Sequence, residues 1–343
     1  MLAALVVAAA LASGGVAEDA DLTEALERLY DGSTDAALER LAALAGEAPD
    51  DPVPVYLGAL ALCWKAEQQP ESKSLDAEVH RRAAASIAIA DARLAKNPRD
   101  ARSRLARGAA WGVKSRLHLF RLERRDALRS AVRMREELSR AQALDPDDKD
   151  ALFGLGLYDY YAGVLPKFAK LLRLFAGYPG GDRRRGLARI EQARQGSRWH
   201  GTEVEAQRYE IYAHYENDPR LALQAIRGLR ERYPGSPLWA LKFAEHLRER
   251  LHHYPESAAV AGEILAASEA GQVNYSPIVG AMARLALGRA LQASGDAEGA
   301  AQQYKKVLEV KDGPEALRSD AEACLSSTQR RGVRVADPDK HSK

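Results

Sequence analysis

Aromatic residues make up only 6% of this 343-residue chain, and strand-forming runs of Val, Ile and Thr are missing. That combination disfavours a β-sandwich or barrel, whose cores need such side chains. Two cysteines, Cys63 and Cys324, are too few and too far apart for a disulfide framework. Each sits in an apolar helical setting and reads as a small core residue. The formal net charge is +2, so no global field drives the chain onto nucleic acid. Also missing are a His-Glu-x-x-His pair, a phosphate-binding Gly-Lys-Ser/Thr loop, a dinucleotide fingerprint, and a serine or cysteine nucleophile with its partners. These absences point to a non-enzymatic protein that needs no cofactor and no metal.

What is present is helix-forming material. Ala, Leu and Arg dominate, and 46% of the residues are apolar, enough for a sizeable core. Charge is unevenly distributed. Residues 18–51 carry eleven acids against Arg28 and Arg40, whereas residues 102–140 carry twelve Arg or Lys against four acids.

Residues 2–12 are apolar and are followed by Ser13, Gly14, Gly15, Val16 and Ala17. An apolar run ending in small residues reads as a signal peptide over 1–17, with cleavage after Ala17 and a periplasmic or secreted destination. No Lys or Arg precedes the run, and it is shorter than the about 20 residues a membrane span needs.

From residue 18 to 328 the pattern is helix after helix, broken at Asn97-Pro98, Asp145-Pro146, Asp218-Pro219, Tyr233-Pro234-Gly235, Tyr254-Pro255 and Gly313-Pro314. Sixteen helices are expected, including an unusually long one over 100–124 and one over 166–176. Residues 329–343 read as a polar, disordered tail. The short breaks make antiparallel hairpins. Leu287-Gly288 followed by Ala300, Tyr304 and Val307 fits a tetratricopeptide unit, and two further second helices show matching spacing: Ala37, Leu41, Pro49 and Ala222, Ile226, Pro234. The expected fold is an all-α, right-handed α-solenoid of tetratricopeptide-like hairpins, irregular in the middle.

The middle carries a more particular pattern: Gly154-Leu-Gly-Leu-Tyr-Asp-Tyr-Tyr-Ala-Gly-Val-Leu-Pro166, then Lys170-Leu-Leu-Arg-Leu-Phe-Ala-Gly-Tyr-Pro-Gly-Gly-Asp182, then Arg185-Gly-Leu-Ala-Arg-Ile190. It resembles the core of the inclusion-body-clearance tetratricopeptide proteins and of related bacterial secreted repeat proteins, over roughly residues 150–235. The resemblance implies an irregular helical-repeat scaffold without enzymatic activity.

Several groups invite a binding role. Trp111, Lys114 and His118 share one helix face and could line a groove for an extended peptide. They could equally be a packed Trp with snorkelling neighbours. Tyr158, Tyr161, Tyr209 and Tyr212 carry the same two readings. Lys167, Lys170 and Arg173 lie along one side of an amphipathic segment, which suits a membrane surface or burial within a stack of repeats. Asp182, after Tyr178-Pro-Gly-Gly, reads as a helix cap. Glu245, His246, Glu249, His252 and His253 read as a solvated helix end. The leading expectation is an exported scaffold that binds a protein or peptide in its groove. A peripheral membrane or polyanion binder using the basic centre is the alternative, and self-association through the acidic and basic regions is a third reading.

Overall fold

The structure is a computed structural model that describes residues 16–164, 178–311 and 313–335. Among them are fifteen helices and no strand. In chain order these are α1 (Asp19–Tyr30), α2 (Thr34–Glu47), α3 (Pro52–Glu67), α4 (Asp76–Lys96), α5 (Ala101–Phe120), α6 (Arg124–Leu144), α7 (Lys149–Val164), α8 (Arg183–Ala193), α9 (Gly201–His214), α10 (Pro219–Arg232), α11 (Pro237–Glu249), α12 (Tyr254–Glu269), α13 (Pro277–Ser294), α14 (Ala297–Leu308) and α15 (Glu315–Val335). The segment expected as a helix over 166–176 falls outside the described residues. The long helix expected over 100–124 stops at Phe120, and the last helix runs to Val335 rather than ending near 328.

Helix starts follow the acids and prolines of the breaks. Asp51, Asp100, Asp182, Asp218 and Asp296 each accept a hydrogen bond from a first-turn amide. Such side chains satisfy amides that have no partner within the helix.

The chain divides into two compact units, residues 1–29 with 34–204 and residues 30–33 with 205–343. In the first, α3 packs on α4 and α5, α5 on α6, α6 on α7, and α7 on α8, while first helices α3, α5 and α7 also touch in sequence. In the second, α12, α13, α14 and α15 pack in turn, with α11 against α12 and α13. The spacing residues lie where the repeat needs them. Ala37, Leu41, Ala222, Ile226, Ala300, Tyr304 and Val307 are all buried.

Five of the hairpin turns share a device: one residue in the left-handed region ends the turn. It is Gly32 between α1 and α2, Leu122 between α5 and α6, Asn217 between α9 and α10, His252 between α11 and α12, and Gly295 between α13 and α14. Glycine adopts this conformation freely, and Asn and His are enriched there. A leucine is not, and left-handed backbone costs an ordinary residue about 1–2 kcal/mol. At Leu122 the helix end is nonetheless regular, with Glu123 N–H donating to His118 O at 2.8 Å and Leu122 N–H to Leu119 O at 3.0 Å.

The glycines of the middle pattern have a packing cause. A Cβ on Gly186 would stand 2.4 Å from Tyr160 N, and one on Gly163 would stand 2.5 Å from Arg183 N. Both obstacles are backbone, so nothing can swing aside. Arg185 then pairs with Asp159 through contacts of 2.7 and 2.8 Å, and Arg189 reaches the same carboxylate at 2.5 Å. The pattern therefore encodes the close crossing of α7 and α8. Gly186→Ala is expected to destabilise the fold by about 1–3 kcal/mol through overpacking. Gly262→Ala, which meets open space within a helix, is expected to stabilise by about 0.5–1 kcal/mol. Urea unfolding of the two variants checks the opposite signs, and equal effects contradict the crossing.

Candidate functional site: the first-helix surface of residues 16–204

Helix α3 is apolar almost all round, and thirteen of its sixteen residues are buried. Tyr56, Cys63, Trp64 and Glu67 recur along one stripe of it at helical spacing. Arg102 and Arg116 are fourteen residues apart on α5, close to four full turns, so they share a face as well.

Arg116 is the centre of this surface. Its guanidinium donates to both carboxylate oxygens of Glu67 at 2.7 Å and to Glu203 at 2.9 Å. It also lies 4.4 Å above the Trp64 ring, whose indole N–H donates to the same Glu203. Burial disfavours the Arg116 cation, but Glu203 and Glu67 more than offset that and hold it charged, well above the usual arginine value. A planar fork over an aromatic face, closed by two carboxylates, is a geometry lysine could not reproduce. The nearby Cys63 thiol is pushed up by burial, and both cysteines are free.

At the other end of α5, Arg102 donates to Asp19 and Asp51, each at 2.9 Å, and to Ala17 O at 3.0 Å. Asp51 is fully buried and also receives the Ala17 amide at 2.9 Å. The Trp199 ring lies between two cations, with Arg102 at 5.0 Å and Arg198 at 4.8 Å.

Asp150, in the first turn of α7, anchors the segment leading into α9. Its carboxylate accepts from the backbone amides of Arg198, Trp199 and His200 at 3.1, 3.3 and 3.1 Å. The His200 ring adds a contact at 3.0 Å and stacks on Tyr56 with centroids 6.1 Å apart. Beside it, Asp148 caps α7 and takes Arg198 at 2.7 Å. Residues 198–203 thus lie on the side chains of α3, α5 and α7, with Thr23 of α1 reaching Arg198 O at 3.5 Å. The first-helix surface already receives a segment of its own chain, held by an aromatic ring, a run of amides and one carboxylate.

The residues singled out from sequence lie elsewhere. Trp111, Lys114 and His118 do share a face, but about 140–160° round the helix from Arg116 at about 100° per residue. There the His118 ring is tilted against His80 of α4 with centroids 4.7 Å apart and contacts Glu123 at 2.6 Å, and Lys114 covers Trp111 at 4.8 Å. This side meets second helices, as Ser115 shows by donating to Ala127 O of α6. Tyr158 is buried and donates to Pro179 O at 2.9 Å, and Tyr161 stands edge-on to Tyr160 at 5.3 Å. Tyr209 is buried against His246, and Tyr212 lies under Arg208 at 5.7 Å. Lys167, Lys170 and Arg173 lie outside the described residues. Among the described residues no three His, Cys, Asp or Glu are placed to hold a metal ion. Asp150, Trp199, His200 and Glu203 were not singled out from sequence. The nearest signal is the acid-rich break at 145–148, just before Asp150, which reads only as a helix boundary.

The His200–Asp150 pair sets a pH dependence. Burial pushes His200 down, but Asp150 more than compensates, so the imidazolium is favoured and its pKa is raised. Its stabilisation is fully present below the unfolded value of about 6.5 and is lost as pH rises through the higher folded value. The stability difference between the natural chain and His200→Gln is expected to shrink from roughly pH 6 to pH 9 in urea unfolding. A difference that widens with pH contradicts the pairing.

No family model matches the chain, and no curated protein matches it. Solved structures do. A tetratricopeptide repeat protein from Parabacteroides merdae is 14% identical over 90% of this chain and 99% of its own, with a TM-score of 0.36. Yeast Tom70 is 13% identical over 90% of this chain and 61% of its own, TM-score 0.42. The human IFIT1 dimer with PPP-AAAA is 14% identical over 95% and 83%, TM-score 0.42. From the chain's own fifteen described helices, buried repeat spacing and hairpin turns, the fold is all-α and built of helix hairpins with tetratricopeptide-like spacing.

Proposed function

We propose that the chain is a non-enzymatic helical-repeat scaffold that holds a protein partner on the surface of its first helices. The observation that supports this reading is the cis segment 198–203. It is gripped as a bound peptide would be, by Asp150 at its amides, by Arg102 over Trp199, and by Arg116 with Trp64 at the Glu203 carboxylate. Arg102, Arg116, Arg198 and His200 are each paired with a carboxylate, an arrangement that suits holding a segment in place.

In the second unit the first helix α13 carries exposed apolar side chains. Helix α13 packs on α12 at Gly280 and on α14 at Gly288. Its other side exposes Ile278 and Met282 at 40% and 43%. Two apolar side chains one turn apart, on a face that packs on neither α12 nor α14, are the contact we assign to the partner. The apolar run at residues 2–12, outside the described residues, favours a scaffold that works in the periplasm or outside the cell. No described helix is long and apolar enough to cross a membrane.

A photoreactive amino acid at Met282, compared with one at the exposed Arg227 on a second helix, tests the proposal in the native cell. One discrete protein joined through position 282 and not through 227, and rebinding the purified chain, is expected. Equal labelling from both positions, or none from 282, contradicts it.

A further inference from the structure

The turn between α5 and α6 departs from the other hairpin turns, and the departure is apolar. Leu122 occupies the left-handed position, at φ 61°, where the other turns place Gly32, Asn217, His252 and Gly295. The strain is not offset by burial, because Leu122 is 74% exposed. Leu119, one turn earlier, is 62% exposed. A single exposed leucine is ordinary. Two on one tip, one of them in a conformation that disfavours it, single this turn out as a candidate contact surface.

The charge around the tip identifies the partner. Arg124 and Arg125 follow at once, are exposed, and form no ion pair among the described residues. The acids of the tip are engaged: Glu123 with His118 and Asp126 with Arg129. The neighbouring α3–α4 turn adds Lys73, exposed and without an ion pair among the described residues, together with the exposed Glu71. Arg121 fastens the two turns together, donating to Pro70 O at 2.6 Å, Ser72 O at 2.5 Å and both Asp76 oxygens at 2.8 and 2.9 Å. Its side chain is only 6% exposed. The edge is therefore held fixed by Arg121, with two leucines projecting and three unpaired cations beside them.

We infer that this edge docks on an anionic lipid surface, with Leu119 and Leu122 entering the boundary between headgroups and acyl chains. Arg124, Arg125 and Lys73 pair with the lipid phosphates and carboxylates. Leucines flanked by basic side chains are the composition of an interfacial anchor. The leucines sit on a turn tip flanked by basic side chains rather than in a groove, which suits the flat anionic boundary of a membrane. This contact is separate from the first-helix surface, and neither reading depends on the other.

The test is co-sedimentation of the full chain with vesicles of phosphatidylcholine alone and of phosphatidylcholine with phosphatidylserine in equal parts, at low salt. Binding to the anionic vesicles only, weakening towards physiological salt, is expected. Leu122→Gly relieves the backbone strain, so its thermal midpoint is expected to rise while vesicle affinity falls about tenfold. The Arg124→Glu, Arg125→Glu double variant is expected to lose at least about tenfold. Failure of the natural chain to bind anionic vesicles overturns the inference. Undiminished binding by either variant does so too, as does a protein captured through Leu122 while vesicles are ignored.

Discussion

The guanidinium of Arg116 is the group on which the first unit depends. It joins three stretches of chain that are distant in sequence: α3 through Glu67 and Trp64, α5 through its own backbone, and the start of α9 through Glu203. Each partner is needed by the others. Removing one member of such a partly buried group leaves the rest desolvated without compensation, at an expense of about 3–5 kcal/mol for a fully buried pair. With Arg116 and Glu67 at 24% and 20% exposure, solvent screening places this case at the lower end. The interaction specifies where residues 198–203 lie more than it adds stability.

From that constraint the remaining geometry follows. Asp150 collects three successive amides of the same segment that Glu203 fixes farther along. The Trp199 ring then falls between Arg102 and Arg198, and His200 comes to rest on Tyr56. The site holds the bend at residues 198–200 by its amides, together with an aromatic ring and a carboxylate. Short-range contacts build the hairpins, and a few charge-assisted bonds of long sequence separation decide what lies on their inner surface.

The hairpins were legible because their causes are local. Proline and aspartate at the breaks mark helix starts, and Ala37, Ala222 and Ala300 mark close approaches at one repeated spacing. The Gly154–Ile190 pattern was legible as a likeness, and its cause emerges only when Gly186 and Tyr160 are seen backbone to backbone. The surface was not legible. Trp111, Lys114 and His118 share a face, as the helical period requires, but periodicity cannot say which face meets second helices. Glu203 and Arg116 are 87 residues apart, and no local signal connects them. The division into two units also left no compositional mark, because it falls within helix α9.

A double-mutant cycle between Arg116→Met and Glu203→Gln, read by urea unfolding, tests the central claim most directly. If the two groups share one interaction, the paired substitution costs less than the sum of the single ones by about 1–3 kcal/mol. Additivity within about 0.5 kcal/mol would mean that Arg116 and Glu203 act independently. The cis segment would then not be held through this clamp.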